Sequence, residues 1–184
     1  MIFHDTKLKG AYLIELERRE DARGFNGRLW CGREFETQGV DFQVAQVNVL
    51  FNKEKGTLRG MHYQAAPYQE SKVFRCVRGA IYDVIIDLRP GSPTYLQWVG
   101  VELRADEYKV LYVPKGCAQG FYTLEPNTEL IYLVSQFYAP QAERGIRYDD
   151  PTFQVEWPGP PRIISDKDRS WPNFSIERET IIPS

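Results

Sequence analysis

Short apolar runs separated by Gly, Pro and polar residues recur along most of this chain. Runs of this length that alternate, or that are rich in Val, Ile and aromatic residues, predict β-strands. A helical or irregular piece is expected near residues 33–37, after a polar break at residues 20–24. The predicted strands cover residues 11–16, 42–50, 56–64, 72–78, 80–87, 98–103, 109–113, 117–123 and 128–135.

This succession of short strands with Gly/Pro turns and hardly any helix predicts an all-β fold, an antiparallel sandwich or jelly roll. The chain of 184 residues is long enough for one well-packed domain, which we expect to span residues 1–184. From Ala139 onward the sequence is rich in proline, carries Trp157 and Trp171 and lacks a helical period. We therefore expect a loop-rich C-terminal tail that wraps the sheet.

The second of two consecutive predicted strands places a carboxylate among apolar residues, and the first carries a lysine that could pair with it. Gly79 separates residues 72–78 from residues 80–87, as in a tight hairpin. In the second strand Asp83 alternates onto a face with two isoleucines, where a carboxylate is costly unless it is paired. Lys72 is the expected partner. The pair reads either as a structural salt bridge or as part of a site, and we favour the site because buried charges cluster where shifted pKa values are useful.

Polar side chains also share faces with apolar ones in two other predicted strands. Gln46 and Asn48 suggest a pocket wall, although an edge strand that exposes its amides to water explains them as well. Tyr132 alternates with aliphatic residues and is expected to point inward, where a tyrosine commonly packs and hydrogen-bonds.

His62 is the candidate site histidine, because the other histidine, His4, lies in a terminus that is expected to fray. His62 follows two glycines and an arginine in a strand-like run, where the backbone can bend or approach a ligand closely. On these residues alone, a functional histidine and a histidine satisfied inside a barrel are equally open.

Composition and charge narrow the function classes. The hydrophobic fraction of 42% supports a real core, and the net charge of -2 gives no reason to propose a nucleic-acid partner. Since no apolar run reaches membrane-spanning length and the amino terminus lacks an apolar signal core, we expect neither membrane association nor export. Cys31, Cys76 and Cys117 are odd in number and form no CxxC pair, which predicts reduced thiols in a cytoplasmic protein.

The inventory of polar residues favours acid/base chemistry without a metal. Many jelly-roll proteins of the cupin type hold a metal through an H-x-H pair, a carboxylate and a further histidine, which His4 and His62 cannot supply. We therefore expect no metal. A histidine base, a cation beside an enolate and a phenol on the opposite face suit proton removal next to a carbonyl, with an epimer as product. The candidate residues for this set are His62, Lys72, Asp83 and Tyr132.

Five segments stand in order along most of the chain: KGTLRGMHYQ (55–64), KVFRCVRGAIYDVIIDLRPGSPT (72–94), VPKGCAQGF (113–121), FYAP (137–140) and ISDKD (164–168). Through these motifs the chain resembles the dTDP-4-dehydrorhamnose 3,5-epimerase family. The resemblance implies a cupin-type jelly-roll homodimer that acts on a nucleotide-linked 4-keto-6-deoxy sugar without metal or organic cofactor.

The resemblance also implies roles for the candidate residues. His62 resembles the general base, and Asp168 the carboxylate that orients its imidazole. Lys72 would stabilise the C4 enolate, Tyr132 would deliver a proton to the other face of the ring, and Asp83 fits the same site. Two groups are needed because inversion removes a proton from one side of a carbon and returns it on the other.

Further residues resemble substrate contacts. Strict alternation would put Arg59 and His62 on opposite faces, so we predict a bulge near Gly60, or else a phosphate that curls round the strand edge. The residues that resemble nucleotide and diphosphate contacts are Arg23, Gln46, Asn48, Arg59 and Glu143, and Tyr138 is expected beside the sugar or the base.

Three positions depart from the family pattern. Gln119 stands where the family commonly has a histidine, so the substrate contact expected there is a neutral amide. Asn26 and Arg28 are the other two, and Arg28 replaces an acidic residue. These departures leave the acid/base set intact and the substrate open. The alternatives are a C3-only epimerase, an epimerase of a different nucleotide sugar and a non-catalytic jelly-roll sugar-binding module.

Overall fold

The computed structural model describes residues 1–176, which form fourteen β-strands and two short α-helices. The helices are α1 (Gly32–Thr37) and α2 (Asp166–Ser170). The strands are β1 (Ile2–Asp5), β2 (Tyr12–Glu15), β3 (Arg19–Asp21), β4 (Gly24–Asn26), β5 (Gln46–Asn52), β6 (Thr57–Gln64), β7 (Lys72–Arg78), β8 (Ala80–Asp87), β9 (Trp98–Arg104), β10 (Lys109–Val113), β11 (Cys117–Thr123), β12 (Thr128–Val134), β13 (Glu143–Gly145) and β14 (Ile163–Ile164). Neither helix in this part of the chain is long and apolar enough to cross a membrane.

Most strands belong to two antiparallel sheets. Sheet I has the strand order β1, β2, β10, β7, β12, β5. Sheet II has the order β13, β6, β11, β8, β9, and β14 joins it by pairing with β6 in parallel. β3 and β4 form a separate hairpin. Apart from β1–β2 and β8–β9, neighbours on the main paths of both sheets come from distant parts of the chain, as in a jelly roll, so the predicted all-β antiparallel fold is confirmed.

The main core lies between the two sheets. Alternate residues of β7 and β12 in sheet I and of β8 in sheet II meet there, and Phe74, Ile81, Ile85 and Leu130 are almost wholly buried. Burial of each such side chain contributes about 1.5–3 kcal/mol by removing apolar surface from water. The packed core therefore holds these strands, and the side chains at their ends, in fixed positions.

The outer face of sheet I is covered by α1 and the segment that follows it. Phe35 of α1 is fully buried, with its ring centroid 5.8 Å from Phe42 and 5.7 Å from Tyr112. The predicted helical piece is thereby confirmed. β5 begins at Gln46, later than predicted, because Phe42 packs into this outer cluster instead of extending the strand.

The predicted hairpin at Gly79 is wrong. β7 lies in sheet I between β10 and β12, whereas β8 lies in sheet II between β11 and β9. Gly79, with φ at 75°, turns the chain from one sheet to the other, and a Cβ there would come within 2.5 Å of Thr128 Oγ1. Since a tight glycine turn serves either connection, the local sequence does not distinguish a hairpin from a passage between sheets.

The amino terminus is paired in sheet I and is not frayed as expected. β1 is antiparallel to β2, with His4 opposite Leu13. The ring of Phe3 lies 5.2 Å from the ring of Phe35, so a tertiary contact with α1 holds the strand in place. Such a contact is invisible to a reading of local propensity.

Beyond β12 the chain runs mainly as loops over the outer face of sheet II, as predicted. Ile146 and Phe153 from these loops are buried in one cluster with Met61 and Ile86. Two short strands of this tail, β13 and β14, pair with β6. The tail thereby brings α2 beside the strand that carries His62.

Candidate active site

A pocket of about 380 Å³ lies between the two sheets. Strands β5, β7 and β12 of sheet I and strands β6 and β13 of sheet II supply most of its walls. The predicted pocket wall of Gln46 and Asn48 is confirmed. The residues that line the pocket are Gln46, Asn48, His62, Tyr63, Gln64, Glu70, Lys72, Tyr132, Val134, Gln136, Tyr138 and Glu143.

The predicted bulge near Gly60 is present and sets the direction of the His62 side chain. On β11, Gln119 pairs with His62 and Phe121 pairs with Arg59, so β6 has one more residue than β11 between these pairs. Gly60 has φ at 129°, and a Cβ there would come within 2.5 Å of the Gly120 Cα. The bulge requires glycine for both reasons. Strict alternation would put Arg59 and His62, three positions apart, on opposite faces of β6. The extra residue of the bulge breaks this alternation, and the side chain of His62 lines the pocket.

His62 is held by Asp168 of α2. The His62 Nε2 lies 2.5 Å from the Asp168 Oδ1, and 34% of the His62 side chain is exposed. The Asp168 carboxylate also accepts hydrogen bonds from the Gly60 N–H at 3.3 Å and the Trp171 Nε1–H at 3.3 Å. Because Asp168 occupies Nε2, the Nδ1 atom is the ring nitrogen left to act on a bound molecule.

The start of α2 fixes the position of this carboxylate. Ser165 precedes the helix and its hydroxyl accepts a hydrogen bond from the Asp168 N–H at 3.0 Å. Burial alone would raise the pKa of Asp168, but the hydrogen bond with His62 and the attraction of its ring lower that pKa below the ordinary value. Asp168 is therefore ionised at neutral pH and stabilises a protonated His62.

Lys72 lies at the start of β7 beside the backbone of His62. Its Nζ is 3.4 Å from the His62 carbonyl oxygen and 3.3 Å from the Glu70 Oε1. The predicted ion pair between Lys72 and Asp83 is not formed. Glu70 precedes Lys72 by two residues and reaches the ammonium group more directly than a residue on the facing sheet can.

Asp83 is inward, as predicted, but it is bound by an amide and does not line the pocket. The Gln119 Nε2–H donates to the Asp83 Oδ2 at 2.7 Å, and the Asp83 Oδ1 has no hydrogen-bond partner among residues 1–176. Burial raises the pKa of Asp83 well above its ordinary value. Gln119 is itself buried and also stays outside the pocket lining. Gln119 lies beside His62 in sheet II, since the two residues are paired across the β6–β11 ladder.

Tyr132 faces the pocket from sheet I. Its ring stacks on Phe74 with 4.9 Å between centroids and an interplanar angle of 5°, and it lies opposite Asn48 on β5. Burial raises the pKa of Tyr132, and the negative charge of Glu70 raises it further while Arg59 opposes the shift. The phenol is therefore protonated at neutral pH. His62 comes from sheet II and Tyr132 from sheet I, so the two groups stand on opposite walls.

A group of polar residues gathers at a third part of the pocket. The Tyr138 hydroxyl donates to the Glu143 Oε2 at 2.6 Å, and the Lys167 Nζ donates to the Glu143 Oε1 at 2.5 Å. Gln46 joins them because its Oε1 accepts the Tyr138 N–H at 3.0 Å. Burial alone would raise the pKa of Glu143, but the hydrogen bonds from Lys167 and Tyr138 lower it. Glu143 is therefore an ionised acceptor.

The predicted arginine contacts lie outside the pocket lining of this chain. Arg59 is exposed and its Nε–H donates to the Asn52 Oδ1 at 2.8 Å. Arg23 lies between β3 and β4, paired with Asp21, and 90% of its side chain is exposed. Arg28 pairs with Glu34 in a separate small cavity that Asn26 also lines.

Two charged residues escaped the sequence-based prediction: Glu70, which lines the pocket, and Lys167, which lies beside the lining residue Glu143. Glu70 could have been found, because an extended segment places it on the same face as Lys72 two residues later. Lys167 precedes Asp168 in the ISDKD motif and contacts Glu143 only because β13 and α2 meet at β6. Within the described part of the chain, no group of three His, Cys, Asp or Glu residues is arranged to hold a metal ion.

Comparison with known proteins places this geometry in a family. The sequence model of dTDP-4-dehydrorhamnose 3,5-epimerase matches residues 5–175. The dTDP-4-dehydrorhamnose 3,5-epimerase of Shigella flexneri is 38% identical over 92% of this chain and 93% of its own length. The dTDP-4-dehydro-6-deoxyglucose 3-epimerase of a Streptomyces species is 36% identical over 98% of this chain and 93% of its own length.

A solved structure agrees with the sequence comparisons. The dTDP-4-dehydrorhamnose 3,5-epimerase of Bacillus anthracis, solved with TDP and PPi bound, superposes with a TM-score of 0.90 and 40% identity, covering 94% of this chain and 99% of that one. The cupin-type jelly roll predicted from the sequence is thereby confirmed. The chain belongs to the dTDP-4-dehydrorhamnose 3,5-epimerase family, as its motifs implied.

Proposed function

We propose that this protein is an isomerase that inverts C3 and C5 of a nucleotide-linked 4-keto-6-deoxy sugar, converting dTDP-4-dehydro-6-deoxyglucose to dTDP-4-dehydrorhamnose. The observation that carries the proposal is a pair of side chains on opposite sheets. His62 of sheet II is bound to Asp168, and Tyr132 of sheet I is protonated. Family membership supports the substrate class. The reaction as proposed needs neither a metal nor an organic cofactor.

His62 starts the reaction as general base. The C4 carbonyl acidifies the hydrogens on C3 and C5, and the Nδ1 atom of His62 takes one of them. Asp168 accepts the Nε2–H at 2.5 Å and so fixes the tautomer with Nδ1 unprotonated. Its negative charge then stabilises the imidazolium. A base positioned in this way contributes about 10²- to 10⁴-fold to the rate.

Lys72 stabilises the charge that moves to oxygen. When the proton leaves carbon, the C–H electron pair forms the C=C bond of an enolate and the carbonyl pair moves onto the C4 oxygen. The largely buried ammonium group of Lys72 donates to that oxygen. A preorganised donor at a developing oxyanion is worth about 10²- to 10³-fold in kcat.

Tyr132 completes the inversion. Its phenol donates a proton to the face of the planar enolate opposite His62, and the carbonyl is restored. The raised pKa of Tyr132 keeps the proton available at neutral pH. Water then reprotonates Tyr132 and accepts the proton from His62.

We propose that the polar residues of the pocket hold the nucleotide and diphosphate. Gln46, Asn48 and Glu143 line the pocket with Tyr138, whose exposed ring suits contact with a base or sugar. Arg59 stands just outside this lining on β6 and suits a phosphate through its guanidinium fork. Gln119 acts on the substrate indirectly, through the backbone of β6 next to His62.

A homodimer accounts for two surface features. Val47, Val49 and Phe51 lie together on the exposed side of the edge strand β5, an apolar stripe that a second copy would cover. Arg23 lies outside the pocket of its own chain, so it contacts a nucleotide only if the β3–β4 hairpin reaches the pocket of a second copy. We place the dimer in the cytoplasm, which the free thiols of Cys31, Cys76 and Cys117 support.

A C3-only epimerase is the second candidate. The Streptomyces relative with that activity in its name is 36% identical to this chain, close to the 38% of the Shigella 3,5-epimerase. The residues required for one inversion also serve for two, since both carbons flank the same carbonyl. The regiochemistry therefore has to be measured.

Hydrogen exchange tests the proposed function. The protein is mixed with dTDP-4-dehydro-6-deoxyglucose in deuterated water, and the C3 and C5 proton signals are followed by NMR. We expect both signals to disappear, with rates at least about 10²-fold lower in His62→Ala and unchanged in the matched control His4→Ala. Exchange at C3 alone would establish the C3 epimerase. No exchange would contradict both, and tight binding without exchange would identify a binding module.

A further inference from the structure

Glu70 lines the pocket but has no part in the reaction described above. Its side chain is 8% exposed, and its Oε1 lies 3.3 Å from the Lys72 Nζ. Its Oε2 is buried and has no hydrogen-bond partner among residues 1–176. The same pocket contains His62 and Tyr132. A carboxylate of this kind needs an explanation, because nearly all buried polar groups in folded proteins are hydrogen-bonded.

The charge of Glu70 makes the unmatched oxygen costly. A buried acceptor without a partner loses about 1–3 kcal/mol of solvation, and a charged one loses more. Lys72 compensates one oxygen, while no other described cation lies within ion-pair distance of this carboxylate. A bound molecule that donates a hydrogen bond to the Oε2 of Glu70 would compensate the solvation free energy that this oxygen loses. Glu70 is therefore suited to recognise a hydroxyl group.

The spacing of Glu70 and Lys72 matches a particular pair of oxygens. The ammonium group is a donor and the carboxylate an acceptor, 3.3 Å apart. An α-hydroxy ketone presents the reverse pattern, since its carbonyl oxygen accepts and the hydroxyl on the next carbon donates. We propose that Lys72 donates to the C4 oxygen of the sugar while Glu70 accepts from the C3 hydroxyl. This role rests on the proposed function and deepens it.

The Glu70–Lys72 pair fits the two sugar oxygens better as the reaction at C3 proceeds. His62 Nδ1 takes the proton from C3, the C–H electron pair becomes the C3=C4 bond, and the carbonyl pair moves to the C4 oxygen. C3 and C4 are then both planar, and their oxygens lie side by side in one plane, one donating and one accepting. Glu70 and Lys72 bind this enediolate as a pair. An interaction that is strongest with the reacting species accelerates the reaction.

The C5 reaction has no such partner for Glu70. C5 carries the methyl group and the ring oxygen, neither of which can donate a hydrogen bond. Proton loss from C5 therefore uses Lys72 and leaves Glu70 with the same C3 hydroxyl at an unchanged tetrahedral carbon. Glu70 is thus a specificity residue that favours inversion at C3 over inversion at C5.

A structural role for Glu70 makes a different prediction. If Glu70 only held Lys72 in place, its removal would misplace the ammonium group for both enolates, because both put their charge on the C4 oxygen. Exchange at C3 and C5 would then slow by the same factor. The ratio of the two rates therefore separates recognition of the hydroxyl from positioning of Lys72.

The experiment compares Glu70→Ala and Glu70→Gln with the wild type in the deuterium exchange assay. We expect Glu70→Ala to slow C3 exchange by about 10- to 100-fold, the value of a hydrogen bond to a charged group, and C5 exchange by less than about threefold. Glu70→Gln keeps an acceptor oxygen without the charge, so its rate of C3 exchange should lie between those of the wild type and Glu70→Ala. Glu36→Ala, at an exposed position of α1, serves as the matched control.

The outcomes separate this role from the proposed function. No exchange in the wild type would contradict the proposed function and this role with it. Exchange in the wild type with equal slowing at both carbons, or with no slowing, in Glu70→Ala would overturn the role of Glu70 alone. If the wild type exchanges C3 only, C5 cannot serve as the reference, and the 3-deoxy analogue of the substrate is used instead. Because this analogue has no C3 hydroxyl, Glu70→Ala should leave exchange at its C3 unchanged. An equal loss of C3 exchange on the substrate and on the analogue would overturn the role.

Discussion

Two buried carboxyl groups near His62 are held in opposite protonation states. Asp168 faces His62 and the Gly60 N–H, and these contacts keep its pKa below the ordinary value despite burial. Burial keeps the pKa of Asp83 well above the ordinary value, although its hydrogen bond from the neutral amide of Gln119 and the attraction of Lys72 oppose the shift. Gln119, one of the three departures from the family pattern, thus contacts a neutral carboxyl, while Asp168 is the ionised carboxylate bound to His62, the proposed base.

The neutral state of Asp83 predicts the pH dependence of stability. A carboxyl whose pKa is raised in the folded protein binds its proton more tightly there than in the unfolded chain, so its contribution to stability is lost as the pH rises above about 4. We expect the unfolding free energy of the wild type to decline relative to Asp83→Asn over this range. Urea unfolding of both proteins at several pH values measures the difference; a constant difference would mean that Asp83 is ionised in the fold.

Single residues show what the sequence could reveal. Alternation was sufficient to place Asp83 inward and to put Gln46 and Asn48 on a pocket wall, because the side-chain period of a strand is fixed. The partner of Asp83 could not be predicted, since it depends on which strand lies beside β8. The link between His62 and Asp168 likewise came from motif resemblance, because more than 100 residues separate them.

At the scale of an element, the shape of β6 decides what its side chains can do. The bulge at Gly60 changes the register by one residue, so Arg59 and His62 need not follow strict alternation. Gly60 and Gly120 approach each other closely across the ladder. The close contact therefore sets the position of the part of β6 that carries His62.

Substitution of Gly60 tests this account against a matched control. Gly60→Ala should destabilise the protein by about 2 kcal/mol or more, because its φ of 129° is unfavourable for alanine and its Cβ would meet the Gly120 backbone. Gly24 has φ at 126° with nothing within 4 Å of a Cβ. Thermal or urea unfolding should show a smaller loss for Gly24→Ala, and equal losses would remove the close approach as the cause.

Strand bounds could be predicted from the local sequence, whereas the sheet to which each strand belongs could not. β7 and β8 were predicted with their observed bounds, because glycine and polar residues end both buried runs. Their assignment to different sheets could not be predicted, since both strands are buried along most of their length on both faces. β1 was missed because its place in sheet I depends on the distant contact between Phe3 and Phe35.

At the scale of the whole molecule, the sandwich itself provides the two faces that inversion requires. Sheet II carries His62, the proposed base, sheet I carries Tyr132, the proposed acid, and the pocket lies between them. Overall architecture could be predicted because many short strands with glycine and proline turns suit few other folds. The surface of β5 adds an expectation about assembly.

The apolar stripe on β5 predicts a dimer that a single charge can weaken. Val49 is 62% exposed at the centre of the stripe, so Val49→Glu should bury a charge in the proposed interface and shift the protein toward the monomer. Light scattering should give twice the 21.4 kDa chain mass for the wild type. Ile163→Glu, at an exposed position on β14, is the control and should remain dimeric. A monomeric wild type would contradict the proposed assembly.

The division of labour between His62 and Tyr132 is the central claim, and one measurement addresses it directly. Tyr132→Phe is incubated with the keto sugar in deuterated water, and deuterium uptake at C3 is compared with formation of the inverted product. His62 can still remove the proton and return deuterium to the same face, so uptake should persist while inversion falls by at least about 10²-fold. Tyr122→Phe, in which a hydroxyl on the outer face of sheet II is removed, should match the wild type. Equal loss of uptake and inversion in Tyr132→Phe, or undiminished inversion, would contradict the account.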